Sequence, residues 1–550
     1  MIVLKTRKWI SDEAFREILR IAEYQGGGGG ERRFILNPEK AVRNGYSYRD
    51  VVELIKEYQL ELEGSLDELE AAFQPYTPVL EWDSLTGYVK LYIPWPVFNK
   101  ARAFLSELGA RRAASSDTGI VYRIPPYKLH TAYSKLSELG LEVRDPGRLL
   151  EDKLLPLKPE LVNVSLRSYQ QEALEKWRSN NYQGIVALPT GSGKTLIGVS
   201  AVVLTGRRSL IITYTREQMF QWRDVIVKST NIPQSMIGLM YSDEKRLAPI
   251  TIITYQSGFR VISEISPLFD LLIVDEVHHL PAEKFKHIAV HSIAKYRLGL
   301  SATPYREDGK HEELFPLLGG IVYHKTPAEL AATGFLARYR VVTVKVGLKK
   351  DELEQYNSLR KLYFKLANGR DFKKVLEDAL RGDQRAREAL RIHSQMKMLL
   401  AKSESKLEKA VEIARSELEK GGKIIVFTQY VEQAEELSKR LGAYLLTGEV
   451  PALERKRILE EFKTASKGIL VVTTVGDEGL DIPDANVGVM VSGTGSRRQF
   501  IQRLGRLLRP KPGGEEARLY EIVLEKTPEE YQSRRRKTST LDFDEAFNQE

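Results

Sequence analysis

Two short segments carry the residue types that hold phosphate groups and a divalent cation. The first, LPTGSGKT at 188–195, offers backbone N–H groups, the Lys194 ammonium and the Thr195 hydroxyl. In a loop that opens a helix, the N–H groups cradle phosphates, the ammonium reaches the β and γ oxygens, and the hydroxyl ligates Mg²⁺. Leu188 replaces the usual first glycine but leaves the core motif intact. The segment predicts a phosphate-binding loop formed by Pro189, Thr190, Gly191, Ser192, Gly193, Lys194 and Thr195.

The second segment, LLIVDEVHHL at 271–280, is an apolar strand that ends in Asp275 and Glu276. Asp275 can complete a Mg²⁺ shell, and Glu276 can orient or deprotonate the water that attacks a γ-phosphate. Such a pair is more often a surface turn, but an upstream phosphate loop makes it a strong signal. Adjacent histidines do not face one ion from a helix, so we interpret His278 as a polar coupler to the segment SAT at 301–303 and leave His279 unassigned.

A third segment, QFIQRLGRLLRP at 499–510, places two glutamines and two arginines on one face of a helix. Arginines turned toward a phosphate site stabilise the charge of the transition state. A solvated basic face is the alternative, which we would favour if this helix stood alone. The residues in question are Gln499, Gln502, Arg506 and Arg509.

Parallel β-sheets are the elements that would position these segments. From about residue 164, short buried strands alternate with helical patterns: GIVALP, SLIITY, TIITY, DLLIVDE and YRLGLSAT. After a basic, helical interruption between about 349 and 405, the pattern resumes with KIIVFTQY, AYLLTG, GILVVTT and ANVGVMVS. Strands of this kind are typical of parallel sheets covered by helices on both faces. Two such sheets in one chain predict a cleft between them.

The region before residue 150 contains an internal repeat. IPWPVFNKARAFLSELG at 93–109 returns as IPPYKLHTAYSKLSELG at 124–140, with eight of 17 positions identical. Both copies have apolar residues at helical spacing and follow an alternating, strand-like stretch. We predict two strand–helix units in a small α+β domain, with two unrelated amphipathic helices as the alternative. The run QGGGGG at 25–30 predicts a flexible loop tip.

Composition narrows the class of protein. The chain has 550 residues, a net charge of +9 and no cysteine. Its length suggests several domains, its charge favours a polyanionic partner, and the lack of cysteine excludes disulfides and thiolate chemistry. No stretch of about 18 apolar residues and no signal-peptide core is present, so we expect a protein that neither spans a membrane nor is exported.

Taken in order, these motifs resemble the superfamily 2 helicases, in which two RecA-like lobes clamp ATP. The match runs from about 165 to 522. The resemblance implies that Arg167 and Gln170 in LRSYQ read adenine, that Asp481 in VGDEGLDIP contacts the nucleotide, and that Arg506 and Arg509 are arginine fingers. It also implies a coupling role, between ATP and the nucleic acid, for His278, Ser301, Thr303 and Gln502.

Within that superfamily the chain is most similar to the XPB group in an archaeal form. DEVH at 275–278, the run Arg306-Glu307-Asp308 and a basic insertion called the thumb carry the likeness. Residues 360–402 hold 12 Lys/Arg against 5 Asp/Glu, with Tyr363, Phe364 and Phe372 interleaved, as suits a phosphate grip with stacking. A solvated helix pair is the alternative. The implied DNA contacts are Arg306, Glu307, Asp308, Arg360, Lys361, Lys365, Arg370, Lys373 and Lys374.

We therefore predict an α/β fold with two RecA-like parallel-sheet lobes, a helical thumb insertion and an N-terminal α+β domain. The expected domains are a damage-recognition-like domain at 1–150, lobe 1 at 151–345, the thumb at 346–405, lobe 2 at 406–530 and a polar tail at 531–550.

The function that this resemblance implies is an ATP-dependent 3′–5′ DNA helicase or translocase in nucleotide excision repair or transcription-linked DNA opening. ATP and Mg²⁺ are the implied cofactors. DNA at a junction of single strand and duplex and a nuclease are the implied partners, with the protein a monomer or heterodimer in the cytoplasm of an archaeal cell. Two alternatives stay open: an RNA helicase of the DEAD-box kind, and an ATP-gated duplex-binding scaffold that recruits a nuclease without unwinding.

Overall fold

The computed structural model describes residues 2–28, 30–302, 310–473, 485–492 and 516–533. The chain divides into two compact units, Met1–Val186 with Ile197–Gly299 and Tyr305–Val322, and Ala187–Leu196 with Leu300–Pro304 and Tyr323–Glu550. None of the helices within the described ranges combines the length and apolarity needed to cross a membrane.

The chain begins with a four-stranded antiparallel sheet in the order β2-β3-β1-β4. Its helices start at polar caps; Ser47 and Ser65, for example, each form a capping box with the acidic residue three positions later. The strands are β1 (Val3–Thr6), β2 (Ala22–Gly28), β3 (Glu31–Leu36) and β4 (Glu61–Glu63), and the helices are α1 (Asp12–Ile21), α2 (Pro38–Arg43), α3 (Tyr48–Glu57) and α4 (Leu66–Phe73).

The glycine run differs from the predicted flexible loop tip. Gly26, Gly27 and Gly28 belong to β2 and pair with Arg33, Arg32 and Glu31 of β3, after a bulge that follows Tyr24. A β-ladder is made by backbone groups, so a run without side chains can still extend it. Gly26 adopts φ +111°, a conformation that glycine accepts without a steric penalty. Position 29 lies outside the described residues.

A second antiparallel sheet, in the order β5-β6-β8-β7, contains the internal repeat. Each copy is a strand followed by a helix, as predicted, and the buried faces of both helices join one core with the first sheet. The strands are β5 (Val79–Asp83), β6 (Tyr88–Pro94), β7 (Arg111–Ser115) and β8 (Gly119–Ile124), and the helices are α5 (Trp95–Leu105) and α6 (Leu129–Glu138).

A seven-stranded sheet follows in the order β11-β12-β10-β13-β14-β9-β15. Its central strands pair in parallel and are buried on both faces, which explains their continuous apolar sequences. The strands are β9 (Gln183–Ala187), β10 (Ser209–Thr213), β11 (Ile237–Met240), β12 (Ile250–Thr254), β13 (Leu271–Val274), β14 (Tyr296–Ser301) and β15 (Ile321–His324). The helices are α7 (Ser168–Ser179), α8 (Lys194–Thr205), α9 (Arg216–Ser229), α10 (Tyr255–Ile265), α11 (Glu283–Val290), α12 (Phe315–Leu318) and α13 (Pro327–Ala332).

The thumb is a set of three helices between strands of the next sheet. Strand β16 (Tyr339–Val346) precedes α14 (Lys350–Ala367), α15 (Phe372–Leu380) and α16 (Gln384–Ala401). Tyr356 of α14 and Met396 of α16 pack together with Leu524, which belongs to the sheet. The insertion is thus helical, as predicted.

The last sheet has six strands in the order β16-β21-β20-β17-β19-β18, and all its strand pairs run parallel. Because β16 pairs with β21, this sheet begins before the predicted lobe boundary at residue 345. The remaining elements are α17 (Glu404–Glu419), β17 (Lys423–Thr428), α18 (Val431–Leu441), β18 (Tyr444–Leu446), α19 (Ala452–Thr464), β19 (Gly468–Thr473), β20 (Val487–Met490) and β21 (Ala517–Leu524). The predicted fold class is confirmed, and the domain boundaries stay predictions.

Candidate active site and nucleic-acid interface

The phosphate-loop sequence lies between β9 and the first residue of α8. Gly191 and Gly193 have φ values of +84° and +79°, so the loop uses backbone conformations that side-chain-bearing residues rarely adopt. Ser192 N donates to Pro189 O over 3.3 Å and closes a tight turn. A strand, a glycine turn and a helix N-terminus follow one another here, which is the context that this motif requires.

The Lys194 ammonium is held by its own loop. Its Nζ donates to Leu188 O at 3.1 Å and to Pro189 O at 3.2 Å, and the side chain is half-buried. Hydrogen bonds from an ammonium to phosphate oxygens are charge-assisted and stronger than bonds to neutral carbonyl groups, so bound phosphate can replace these two contacts.

Asp275 follows β13 directly, and its carboxylate is fixed by two donors. Trp222 Nε1 in α9 donates to Oδ2 at 2.8 Å, and the Glu276 backbone N–H donates to Oδ1 at 2.9 Å. The side chain is buried. Hydrogen bonds to the ionised form stabilise it and fix its orientation. The site thus presents an oriented, buried carboxylate at the end of a strand.

Glu276 lies at a turn whose backbone is left-handed, with φ +47° and ψ +50°. A non-glycine residue in this region carries strain, which the surrounding contacts must offset. Tyr255 supplies one such contact, because its hydroxyl donates to the carbonyl oxygens of Asp275 (3.0 Å) and Glu276 (3.3 Å). Burial, and then the two neighbouring carboxylates, raise the pKa of Tyr255 well above its ordinary value, so this hydroxyl keeps its proton.

The two histidines that follow have different surroundings. His278 is fully buried, and its Nδ1 lies 3.3 Å from Glu276 Oε2. His279 stacks on Tyr214, with ring centroids 3.9 Å apart and planes within 5°. The contact of His278 with Glu276 is compatible with the predicted coupling role, which stays a prediction. The stacking of His279 gives it a packing role that the sequence left open.

Arg167 and Gln170 lie at the start of α7. Gln170 is buried and its Oε1 accepts the Arg167 N–H at 2.9 Å, while the exposed Arg167 side chain reaches the Tyr169 hydroxyl at 3.4 Å. This bond fixes the glutamine amide at the helix N-terminus. Their predicted role in reading adenine stays a prediction.

Ser301 is the last residue of β14 and is fully buried. Its carbonyl oxygen accepts the N–H of Leu188 at 2.9 Å, which joins the end of the SAT strand to the start of the phosphate-loop sequence. The other predicted site residues lie outside the described residues: Thr303, Arg306, Glu307, Asp308, Asp481, Gln499, Gln502, Arg506 and Arg509.

The six basic residues predicted to grip DNA from the thumb divide into two groups. Arg370 donates to Asp378 and Asp383, both at 3.1 Å, and to the carbonyl oxygens at the end of α14; Lys374 pairs with Asp378 at 3.2 Å. Within the described part of the chain, the other four form no ion pair and are exposed. They are Arg360, Lys361, Lys365 and Lys373.

Two residues of this site were not identified from the sequence. Trp222 lies inside a helix, 53 positions from its acceptor, and no local pattern marks it. Tyr255 directly follows the buried strand β12, and a hydroxyl at the end of a strand is a signal that could have been used. Both hold the Asp275–Glu276 turn.

Two side chains have the chemistry that a magnesium ion needs. The Thr195 hydroxyl and the Asp275 carboxylate are each an oxygen ligand of the kind that Mg²⁺ prefers. Among the described residues, no group of three or more His, Asp or Glu side chains could hold a metal. Mg²⁺ that is bound to a nucleotide takes the rest of its shell from phosphate oxygens and water.

Two family models match separate parts of this chain. The model described as "ERCC3/RAD25/XPB C-terminal helicase" matches residues 383–548, and the one described as "Type III restriction enzyme, res subunit" matches 163–306. A "DNA 3'-5' translocase XPB2" of Sulfurisphaera tokodaii is 37% identical over 432 residues, which cover 75% of this chain and 96% of the relative. This chain belongs to the XPB family of helicases. The resemblance predicted from the sequence is thus confirmed, and with it the predicted enzyme class, a DNA helicase.

Two other XPB proteins are less identical to this chain but match a similar share of its length. The "DNA 3'-5' helicase XPB" of Mycobacterium tuberculosis is 30% identical, over 76% of this chain and 70% of the relative. The "General transcription and DNA repair factor IIH helicase/translocase subunit XPB" of Dictyostelium discoideum is 29% identical over 78% of this chain, which spans about half (52%) of that relative's length.

Proposed function

We propose that this XPB family member is an ATP-driven 3′–5′ DNA helicase or translocase that opens DNA in nucleotide excision repair or at promoters. The observation that carries the proposal is the buried Asp275 carboxylate, fixed by two N–H donors next to Glu276 in a chain that also has the phosphate loop. The 3′–5′ polarity is supported by the names of the relatives in S. tokodaii and M. tuberculosis, and the choice of pathway by the name of the D. discoideum relative.

Each step of ATP hydrolysis has a candidate residue. Lys194 exchanges its two carbonyl contacts for β and γ phosphate oxygens, and the N–H groups at the start of α8 bind the same phosphates. Thr195 and Asp275 are the residues that would hold Mg²⁺, which when bound would supply positive charge to neutralise the phosphates. The oxygen of a water molecule attacks the γ-phosphorus and the bond to the β–γ bridging oxygen breaks. Glu276 accepts the proton that the water releases.

The resemblance to the helicases is the support for two further roles. Arg506 and Arg509 are proposed to stabilise the charge of the transition state. Asp481 and the Arg167–Gln170 pair are proposed to contact the nucleotide. His278, Ser301, Thr303 and Gln502 are proposed to transmit the state of the γ-phosphate to the DNA-binding residues. Arg306, Glu307 and Asp308 are proposed to act at the strand junction. Where DNA must be cut, we infer that a nuclease partner does so.

ATP hydrolysis by two variants tests the chemical assignment. Lys194→Ala should lose hydrolysis because it lacks the ammonium that faces the phosphates, and Glu276→Gln should bind ATP without turning it over. Lys176→Ala, which removes an exposed lysine of α7, is the matched control and should keep wild-type turnover. Normal turnover in either active-site variant would contradict the assignment.

Two experiments test the assignment to DNA. In the first, single-stranded DNA should stimulate ATP hydrolysis more than RNA of equal sequence, whereas the reverse would favour an RNA helicase. The second uses a variant that lacks the four exposed thumb cations. The variant R360Q/K361Q/K365Q/K373Q should bind DNA more weakly. The slope of log affinity against log salt should become shallower by up to about 0.7–0.9 for each phosphate that the variant no longer neutralises. An unchanged slope would show that the thumb does not bind DNA.

A further inference from the structure

Four aromatic rings form a continuous chain across the three helices of the thumb. Phe364 and Tyr363 in α14 have centroids 5.7 Å apart, Tyr363 and His393 of α16 are 5.5 Å apart, and His393 and Phe372 of α15 are 4.7 Å apart. We call these four side chains the ring cluster. Since α14, α15 and α16 each contribute, the packing of the thumb fixes the spacing of the rings.

The two ends of the ring cluster are open to solvent. Phe364 is 59% exposed and Phe372 is 45% exposed, whereas Tyr363 and His393 between them are half-buried. Tyr363 also packs against two apolar clusters of the thumb, which anchors the chain of rings. Burial, and then the nearby Lys397, lower the pKa of His393, so its ring is neutral at pH 7. The two phenylalanine side chains are therefore partly open to solvent and are linked to each other through two half-buried rings.

Positive charge surrounds these exposed rings. The Arg360 guanidinium lies over the Phe364 ring, 5.7 Å from its centroid. Lys365 and Lys373 directly follow Phe364 and Phe372, and Lys361 lies three positions before Phe364 in the same helix. All three lysines are exposed and form no ion pair within the described part of the chain. In α15, Asp378 is engaged by Arg370 and Lys374. The surface therefore offers cations and flat apolar faces together.

A ligand that matches this surface must offer negative charge and flat apolar faces side by side. A duplex offers phosphates but hides its base faces in the stack, and an acidic peptide offers carboxylates without flat faces. A single strand offers both, and stacking of its bases on aromatic side chains depends little on sequence. Resting on the proposed function, we propose that the ring cluster is a base-stacking subsite for single-stranded DNA, with Phe364 and Phe372 as the platforms.

Binding of three probes by the full chain tests this subsite: a 20-nucleotide thymidine strand, an abasic strand of equal length and charge, and a 20-base-pair duplex. Phe364→Ala/Phe372→Ala should bind the thymidine strand about 30-fold or more weakly, the effect of losing two base–aromatic stacks. Its affinity for the abasic strand and the duplex should stay within about threefold of wild type, with an unchanged salt slope, because the variant keeps every cation that faces a phosphate. Leu380→Ala, which removes a 79% exposed apolar side chain of α15 outside the ring cluster, is the matched control.

Circular dichroism and thermal melting will establish that both variants are folded. If the double variant binds the thymidine strand like wild type, or loses equal affinity for the abasic strand, the stacking subsite is overturned. Equal dependence of RNA binding on the two phenylalanines would overturn its assignment to DNA. The proposed function fails separately, when Lys194→Ala or Glu276→Gln keeps wild-type ATP turnover.

Discussion

Replacement of Trp222 by Phe removes an N–H group that donates to the Asp275 carboxylate. Trp222 is 1% exposed and donates from Nε1 over 2.8 Å. Trp177 is a matched control: it is fully buried and donates over the same distance, but to the neutral carbonyl of Arg297. A hydrogen bond to a charged group contributes about 1.5–3 kcal/mol and a neutral one about 0.5–1.5 kcal/mol. Both variants lose the same volume, so W222F should be the less stable by about 1 kcal/mol.

The two variants should differ more in catalysis than in stability. The hydrogen bond from Trp222 to Asp275 contributes about 1.5 kcal/mol or more. If that free energy also serves to orient Asp275 as a ligand of Mg²⁺, kcat/KM for ATP should fall at least about tenfold in W222F. Its turnover should also need more Mg²⁺ for half-saturation. W177F should keep the wild-type values, since it touches no proposed ligand. ATP hydrolysis measured against Mg²⁺ concentration decides this, and identical curves for the two variants would refute the positioning role of Trp222.

Three further predictions concern residues away from the phosphate loop. Arg370→Met should speed amide hydrogen exchange in the thumb helices, because it removes two ion pairs. The same variant should leave the salt slope of DNA binding unchanged, and a shallower slope would show that Arg370 binds a phosphate. Burial lowers the pKa of His130 and of His291 to about 4, so the unfolded state, with histidine pKa values near 6.5, binds more protons between pH 4 and 6.5. The urea midpoint should therefore fall as pH drops through that range, and H130Q/H291Q should flatten the dependence. Lys406→Met should destabilise the chain by about 3–5 kcal/mol in denaturant titrations, because the fully buried ammonium is the partner of Glu529, and K406M/E529L should restore most of the loss.

The parts of this molecule that the sequence predicts best are those whose signal is local. The phosphate loop and Asp275 each follow a short run of apolar residues, and a strand buried on both faces has that sequence in any protein. The thumb was predictable because helical spacing and an excess of basic residues coincide there.

What the sequence did not predict depends on contacts between distant positions. Trp222 reaches Asp275 across 53 residues, and β16 finds its partner β21 only after the thumb and the rest of the sheet. The six thumb cations look alike in the sequence, but the fold pairs Arg370 with Asp378 inside α15 and with Asp383 beyond the end of that helix. The glycine run was wrongly predicted as a loop because strand propensity describes side chains, while the β2–β3 ladder depends on backbone groups.

Release of a labelled strand from partial duplexes is the most direct test of the proposed motor. Two substrates of the same sequence should be compared, one with a single-stranded 3′ tail and one with a 5′ tail, with ATP and Mg²⁺ present. We expect release from the 3′-tailed duplex, little release from the 5′-tailed one, and none by Lys194→Ala. No ATP-dependent release from the 3′-tailed substrate, or equal release by Lys194→Ala, would contradict it.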